Sequence, residues 1–416
     1  MPPQKSLHAF LATARAALTA PRSAPLHFVV GNEAADLDSL CSALFLAYFR
    51  SHTLPHVPPY IPLCHIPRAD LALRPEFAAV LRRAGVTPDD VLSLSELEAA
   101  EKGGEGLRPA DARWLLVDHN VLTGRLGRVY GAGVVGCVDH HEDEGVVPRG
   151  AETRVVEKAG SCMSLVVEEC RETWEGLARE EGEEGEKERA SINEQLAYLA
   201  LAPILVDTAN LANRDKTTPH DVRAVEIAEG YIPSASPSST ATATPTGTYD
   251  RAAFFAALSA LKEDISSMSV RDVLRKDYKE WAEAGAKLGT ASVPQSFAFL
   301  IGRAGGEEAL VRELETWAKG MGLDVAAVLT TSRDDGGAFA RELLVWAGGE
   351  PRGVRAAEGF VGLARERLGL GAWRAGTLDR DAGDGDGSWM RCWVQGRVEY
   401  SRKQIAPMLR DALKEA

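Results

Sequence analysis

The stretch HFVVGNEAADLDS, residues 27–39, decides the fold, because an apolar run ends there in a group of acidic residues. The same pattern returns in WLLVDHN at 114–120, VVGCVDHH at 134–141 and APILVDT at 202–208. Apolar runs of four or five residues without alternation are typical of strands that are buried on both faces. We therefore expect an α/β fold with a parallel sheet, in which each of the four acidic strings follows a strand.

Acidic and imidazole side chains should meet at one edge of this sheet, because open α/β sheets bind ligands at the carboxyl ends of their strands. The set comprises Asp36, Asp38, Asp118, Asp139, His140, His141 and Asp207. Carboxylates and imidazoles without thiolates favour hard or borderline divalent cations. A hydrolytic metal centre is the first hypothesis.

Simpler explanations compete at each position. Asp38, with Ser39, would serve equally well as the cap of a helix that we expect to run to about Arg50. A single histidine such as His140 would more often be a structural hydrogen-bonding group than a ligand. Four acidic strings at four strand ends are harder to explain in this way, and four carboxylates would balance the charge of two dications.

Composition restricts the class of protein. The chain of 416 residues has room for two domains, and its 45% hydrophobic and 26% charged content is that of a soluble globular protein. A net charge of −13 argues against a general nucleic-acid-coating role, although bound dications and a local basic cluster would still admit a polyanionic substrate. Six cysteines without a CxxC pair indicate neither a disulfide framework nor a zinc knuckle.

We expect a cytoplasmic protein without membrane spans, with a mitochondrial presequence as the less favoured alternative.

The low-complexity segment PSASPSSTATATPTGTY at 233–249 predicts a linker or insertion. It suggests a metal-binding domain over 1–230, a linker over 231–250 and a second domain over 251–416. Residues 75–102 have a helical pattern with a fresh start near Thr87. Another helical pattern continues through VRDVLRKDYKEWAEAG at 270–285, before alternating strands and helices.

The ordered set GNEAADLDS, DHN, DHH and DT resembles the DHH phosphoesterase superfamily. This group includes RecJ-type nucleases, family II inorganic pyrophosphatases, exopolyphosphatases and prune-type phosphodiesterases. The segments RKDYKEW at 275–281 and SRKQIAP at 401–407 are similar to the DHHA2 domain of the pyrophosphatase and exopolyphosphatase branch. The resemblance implies an active site in a cleft between a DHH domain and a smaller α/β DHHA2 domain.

The resemblance also implies two divalent cations, Mg²⁺ or Mn²⁺, with Co²⁺ as a further candidate. The implied ligands are Asn32, Asp36, Asp38, Asp118, His140 and Asp207. Asn32 stands where the pyrophosphatases have a histidine, and its harder oxygen should move the preference from Mn²⁺ towards Mg²⁺. Asp118 and Asp207 would bridge the cations, and Asp139 would support a histidine.

Contacts to the substrate phosphate are implied in both domains. His141 would act as a cationic donor or general acid, and the SRK string at 401–403 would clamp phosphate. Lys279, and less certainly Lys276, resembles a further phosphate-facing lysine, although a solvated amphipathic helix explains RKDYKEW equally well. The implied catalytic residues are Asp118, His141, Arg402 and Lys403, and the implied substrate-binding residues are His141, Lys279, Arg402 and Lys403.

The resemblance favours an exopolyphosphatase that releases orthophosphate from the end of inorganic polyphosphate, as a monomer without nucleic-acid or membrane partners. Asn32 counts against an inorganic pyrophosphatase, and DHH in place of the DHR of prune-type proteins counts against a prune-like (cyclic) nucleotide phosphodiesterase. A non-catalytic scaffold is disfavoured, because clustered aspartates without metal would repel one another. These alternatives remain open on sequence alone.

Overall fold

The computed structural model describes residues 5–21, 24–53, 59–103, 106–179, 185–233, 249–333, 336–348, 351–382 and 388–416. Most of the predicted linker, residues 234–248, lies outside the described residues. The chain divides into two compact units, Met1–Lys262 and Glu263–Ala416.

The first unit is built on a parallel sheet. Its strands are β1 (Leu26–Val30), β2 (Tyr60–Cys64), β3 (Leu92–Ser93), β4 (Ala112–Val117), β5 (Val134–Asp139) and β6 (Thr153–Val156). They lie in the order β3-β2-β1-β4-β5-β6, and all neighbouring pairs are parallel. The helices are α1 (Leu7–Thr19), α2 (Leu37–Arg50), α3 (Pro75–Arg83), α4 (Leu94–Lys102), α5 (Gly124–Tyr130), α6 (Cys162–Ala178), α7 (Glu186–Asp207), α8 (Pro219–Glu229) and α9 (Arg251–Glu263). The expected α/β fold with a parallel sheet is confirmed.

Both faces of this sheet are buried. Phe28 and Val29 follow one another in β1 and belong to two different core clusters, because successive side chains of a strand point to opposite faces. Phe28 stacks on Trp114 of β4 with ring centroids 4.6 Å apart. This double burial is the physical reason that the strand sequences are continuously apolar.

The fourth apolar run is not a strand, contrary to our expectation. APILVD forms the last part of α7, and Asp207 is the final residue of that helix. Residues 199–205 are buried without interruption, so the helix shows no polar face at this end. A short apolar run of this kind cannot be assigned to a buried strand or a buried helix by periodicity alone.

Two smaller expectations are also corrected. The cap of α2 is Asp36 and not Asp38 or Ser39, since the Asp36 carboxylate accepts a hydrogen bond from the Ser39 backbone N–H at 3.1 Å. The second helix within residues 75–102 begins at Leu94 and not near Thr87. Helix α3 ends at Arg83, and β3 joins the sheet before α4 begins, because the apolar Leu92 pairs with β2.

The second unit is a smaller α/β structure, as expected. Its strands are β7 (Tyr278–Glu283), β8 (Ala286–Val293), β9 (Val325–Thr330), β10 (Ser332–Arg333), β11 (Phe339–Ala340), β12 (Glu342–Ala347), β13 (Leu370–Ala372) and β14 (Trp389–Gln395). The main sheet has the order β13-β14-β12-β9-β8-β7, with β8 and β9 parallel and the other neighbours antiparallel. Its helices are α10 (Val270–Lys276), α11 (Phe297–Ala304), α12 (Glu307–Gly320), α13 (Pro351–Leu368) and α14 (Arg402–Glu415).

The segment 270–285 differs from the predicted continuous helix. Helix α10 ends at Lys276, and the following residues form β7 at the edge of the sheet, paired with β8. Upstream, Phe254 and Leu258 of α9 belong to the core of the first unit, so that this unit extends to Lys262. Within the described residues, no helix has both the length and the apolar composition that crossing a membrane requires.

Candidate metal centre

Asp118 lies at the middle of the candidate site, directly after β4. It is 3% exposed and has φ of +61°, a left-handed backbone conformation that residues other than glycine rarely adopt. Its backbone N–H donates to the carbonyl oxygen of Val138 in β5 at 3.1 Å, which fixes the turn against the neighbouring strand. Strain of this kind persists where the surroundings hold the residue in place, and it is concentrated at functional sites.

The carboxylate of Asp118 is held from two sides. Oδ2 accepts hydrogen bonds from Asn32 Nδ2 and from Ser39 Oγ, both at 2.7 Å. Oδ1 lies 3.2 Å from His140 Nε2 and 3.7 Å from His141 Nδ1. Ligand atoms of Asp118, His140 and His141 all lie within 4.8 Å of one another, so the structure brings these predicted residues together.

His140 has the tautomer that a metal ligand needs. Its Nδ1 lies 2.9 Å from the carbonyl oxygen of Ala159, which can only accept a hydrogen bond. Nδ1 therefore carries a proton, and Nε2, which faces Asp118, is the nitrogen that could bind a cation. A backbone carbonyl that fixes the far nitrogen of a ligating histidine is a common arrangement in metal sites.

Asp139 orients His141, in agreement with our expectation that Asp139 supports a histidine. Its Nδ1 lies 2.8 Å from Oδ1 of Asp139, while Asn120 Nδ2 donates to Oδ2 at 2.6 Å. Burial alone would raise the pKa of Asp139, but the hydrogen bond and charge of His141, with the bond from Asn120, lower it. Asp139 is therefore an ionised carboxylate inside the protein, aimed at His141.

Asp38 is almost fully buried in the first turn of α2. Its Oδ2 accepts a hydrogen bond from the Cys162 backbone N–H at 2.7 Å, and its Oδ1 accepts from Met163 N–H at 2.9 Å and from Ser42 Oγ at 3.1 Å. Burial, followed by the charges of Asp118 and Asp207, raises its pKa well above the usual range. Three of roughly four lone-pair positions are occupied, which leaves one for a cation.

Asp207 reaches the site from the end of α7. Its pKa is raised, first by burial and also by Asp36, while Lys262 opposes the shift with Nζ 3.8 Å from Oδ1. Asp36, Asp38 and Asp207 stand outside the three-residue group around Asp118, yet their charges act on one another. Carboxylates that repel one another around an imidazole nitrogen fit divalent cations in both charge and donor type.

Asn32 contacts Asp118 but has a second task. Its Oδ1 accepts a hydrogen bond from the Ala34 backbone N–H at 2.9 Å, while Nδ2 donates to Asp118. The amide is thus fixed in orientation, and one lone pair of its oxygen is left over. The role of Asn32 as a metal ligand stays a prediction.

In the second unit, the structure places Arg402 beside the 276–279 segment. Arg402 begins α14, and its Nη1 and Nη2 reach the carbonyl oxygen and Oδ1 of Asp277 at 3.1 and 2.8 Å. Lys279 lies half-buried in β7, and Lys403 is exposed in the first turn of α14. The predicted basic residues of this unit therefore occupy neighbouring elements.

Four residues that help to build the site were not identified from the sequence. Ser39 and Asn120 lie inside the acidic strings, so their hydroxyl and amide groups were a usable signal. Arg74 and Asp221 hold loops of the site from other segments, and no feature of the sequence marks Arg74. Asp221 closes a Thr218-Pro-His-Asp capping box, which is an ordinary helix signal.

Comparison with known proteins identifies the family. A model of the "DHH family, N-terminal domain" matches residues 27–204, and a model of the "DHHA2 domain" matches residues 256–412. The chain is 32% identical over 396 residues to the "Putative exopolyphosphatase" of Schizosaccharomyces pombe, an alignment that covers 94% of this chain and 92% of that protein. The chain belongs to the DHH family. Its second unit is accordingly a DHHA2 domain.

Proteins with lower sequence identity cover a similar share of the chain. "Exopolyphosphatase PRUNE1" of Homo sapiens is 25% identical over 410 residues, which are 97% of this chain and 79% of the human protein. The crystal structure of the Methanococcus jannaschii "putative family II inorganic pyrophosphatase" aligns with a TM-score of 0.55 at 20% identity, over 93% of this chain and 99% of that one. The latter likeness concerns the fold alone.

Proposed function

We propose that this DHH protein is an exopolyphosphatase, which hydrolyses the terminal phosphoanhydride of inorganic polyphosphate and releases orthophosphate. The observation that carries the proposal is the grouping of Asp118, His140 and His141 at the carboxyl ends of two adjacent parallel strands. The relatives named as exopolyphosphatases in Schizosaccharomyces pombe and Homo sapiens support it, because they align over nearly the whole chain.

The carboxylate cluster would hold two divalent cations, which are Mg²⁺ or Mn²⁺, with Co²⁺ as a further candidate. The proposed ligands are Asn32, Asp36, Asp38, Asp118, His140 and Asp207. When bound, such cations lower the pKa of a coordinated water and neutralise charge on the phosphate. The amide oxygen of Asn32 favours Mg²⁺ over Mn²⁺ at its position.

Each protein group near the reacting phosphate has a defined task. Asn32 and Ser39 fix the orientation of the Asp118 carboxylate before substrate binds. Asp139 holds Nδ1 of His141, whose side chain is 28% exposed, so Nε2 is the nitrogen left to donate a proton to a phosphate oxygen. A donor of this kind serves as general acid for the leaving group.

The DHHA2 domain supplies the proposed phosphate-binding residues Arg402, Lys403 and Lys279. Asp277 fixes the position of Arg402, and a planar guanidinium suits the binding of phosphate oxygens. Polyphosphate carries a charge on each repeating unit, which suits a group of basic side chains. We also place the protein in the cytoplasm, since all six cysteines are free and buried, as a reducing compartment permits. The proposed oligomeric state is a monomer.

Phosphate release from long-chain polyphosphate and from pyrophosphate, measured in parallel with Mg²⁺ or Mn²⁺, tests the function. We expect release from polyphosphate that the near-isosteric Asp118→Asn abolishes. Release from pyrophosphate alone would replace the proposal with a pyrophosphatase. Failure on both substrates, with metal bound, would reject phosphoanhydride hydrolysis.

The substrate-binding role has a separate test. We expect Lys403→Ala to raise KM for polyphosphate and to lower kcat as well, because the lysine would contact the reacting phosphate. Lys414→Ala, at the other end of α14 and also exposed, is the matched control. Equal KM values for the two variants would remove Lys403 from the binding site.

A further inference from the structure

Asp221 is a fully buried carboxylate outside the acidic strings, in the first turn of α8. It accepts hydrogen bonds from Gly160 N–H at 2.9 Å, Ser161 N–H at 3.2 Å, Ser164 Oγ at 2.6 Å, Thr218 N–H at 2.7 Å and Thr218 Oγ1 at 2.9 Å. The bonds from Thr218 belong to the cap of α8. Those from residues 160–164 come from another part of the chain and need another explanation.

The 159–163 loop, whose last two residues begin α6, touches the proposed metal centre at both of its ends. At one end, the Ala159 carbonyl oxygen fixes Nδ1 of His140. At the other end, the N–H groups of Cys162 and Met163 bind the carboxylate of Asp38. The residues between these ends are the ones that Asp221 holds.

We infer that Asp221 is a positioning residue, which sets the places of His140 and Asp38 through the 159–163 loop. The inference rests on the proposed metal centre. Hydrogen bonds to a carboxylate group are roughly twice as strong as those between neutral groups, so Asp221 can help to fix the position of this loop. Partners that orient metal ligands typically affect metal affinity by about 10-fold to 100-fold.

Gly160 shows how closely the loop is packed against Asp221. A Cβ atom at this position would lie 2.9 Å from Asp221 Oδ2 and 2.6 Å from Cγ2 of Thr208. Thr208 directly follows the proposed ligand Asp207. The loop therefore fits only without a side chain at residue 160, and its position is coupled to a third ligand segment.

A role limited to capping α8 makes a different prediction, and a pair of variants separates the two. Asp221→Asn keeps the size of the side chain but removes its charge and one of its two accepting oxygens, so accepting oxygens can no longer hold both the loop and the cap of α8. Thr218→Val removes the hydroxyl group from the same cap and leaves the bonds between Asp221 and the loop in place.

Mn²⁺ binding to the full chain, followed by the electron paramagnetic resonance signal of free Mn²⁺, provides a readout independent of activity. We expect Asp221→Asn to weaken Mn²⁺ binding by about 10-fold or more, and Thr218→Val to change it by less than about 2-fold. Thermal unfolding without metal should show a loss of stability in both variants, because both damage the cap.

Wild-type Mn²⁺ affinity in Asp221→Asn, or an equal loss in Thr218→Val, would overturn the inference. If Asp221→Asn does not fold, Gly160→Ala keeps the carboxylate but displaces the loop, and unchanged Mn²⁺ binding in that variant would overturn it as well. Absence of Mn²⁺ binding by the wild type would instead reject the metal centre itself, so the two failures are distinguishable.

Discussion

Arg74 donates a hydrogen bond from Nε to the carbonyl oxygen of Ala35 at 2.5 Å, and a second from Nη2 to Ala34 at 2.5 Å. Arg74 is 2% exposed, and Ala35 has φ of +44°, in the left-handed region. Both carbonyl groups lie between the proposed ligands Asn32 and Asp36. The buried guanidinium group of Arg74, which comes from another segment, thus holds this loop in a conformation that alanine rarely adopts.

Arg74→Met should lower the free energy of unfolding by at least about 2 kcal/mol, because hydrogen bonds to a charged group contribute about 1.5–3 kcal/mol each. Denaturant unfolding measures the change. The control is Arg82→Met on α3, whose side chain is exposed and which should stay within about 0.5 kcal/mol of the wild type. Similar stabilities for the two variants would contradict the role of Arg74.

Gly31→Ala should damage both stability and metal binding. A Cβ atom at Gly31 would lie 2.5 Å from Cβ of Ser39, the residue whose hydroxyl group holds Asp118. Overpacking of this kind costs about 1–3 kcal/mol. Gly302→Ala in α11, where a Cβ atom meets open space, should instead stabilise the protein slightly. Calorimetry and Mn²⁺ titration of both variants test this, and unimpaired Gly31→Ala would refute it.

His65 should make the metal-free protein lose stability in mild acid. Burial, assisted by the nearby His119, lowers the pKa of His65 to about 3. In the unfolded chain, His65 takes up a proton near the ordinary histidine pKa of about 6.5. The full contribution of neutral His65 to the free energy of unfolding is therefore present above that pH. It is lost as pH falls towards 3, by about 1.4 kcal/mol per pH unit.

Denaturant unfolding at pH 7 and pH 5, with a chelator present, measures this loss. His65→Gln should show a smaller decrease than the wild type, whereas His8→Gln, in an exposed position, should keep the wild-type decrease. Parallel pH profiles for wild type and His65→Gln would show that His65 does not cause the effect.

Lys262→Met should tighten Mn²⁺ binding several-fold. The ammonium group lies 3.8 Å from Asp207 and opposes a dication at the same carboxylate, so its removal relieves repulsion. Mn²⁺ titration at low and high salt measures the effect, which should shrink at high salt. Weaker binding would show instead that Lys262 holds Asp207 in place.

The sequence predicts the parallel strands well where burial on both faces admits only apolar residues. Strands β1, β4 and β5 are buried on both faces, and nothing but a continuous apolar run satisfies that environment. The end of α7 is buried on all sides too, so its sequence looks the same and was assigned wrongly. Strand β7 was missed for the opposite reason, since an edge strand keeps polar residues such as Lys279 and Glu280.

At the site, the acidic strings predict the group around Asp118, because consecutive parallel strands must end at one edge of the sheet. They cannot predict Arg74 or Asp221, whose roles depend on which distant loop packs against them. The role of a buried charged residue far from the acidic strings becomes apparent only from its tertiary contacts.

The position of Asp207 at the end of α7 has a consequence for synthesis of the protein. A ribosome delivers the strands bearing Asp118 and His140 well before α7 is complete, and Lys262 emerges later still. Shorter nascent chains would lack one proposed ligand and would bind cations weakly. Cation binding would therefore become complete once α7 has emerged from the ribosome, before α8 and α9 have completed the first unit.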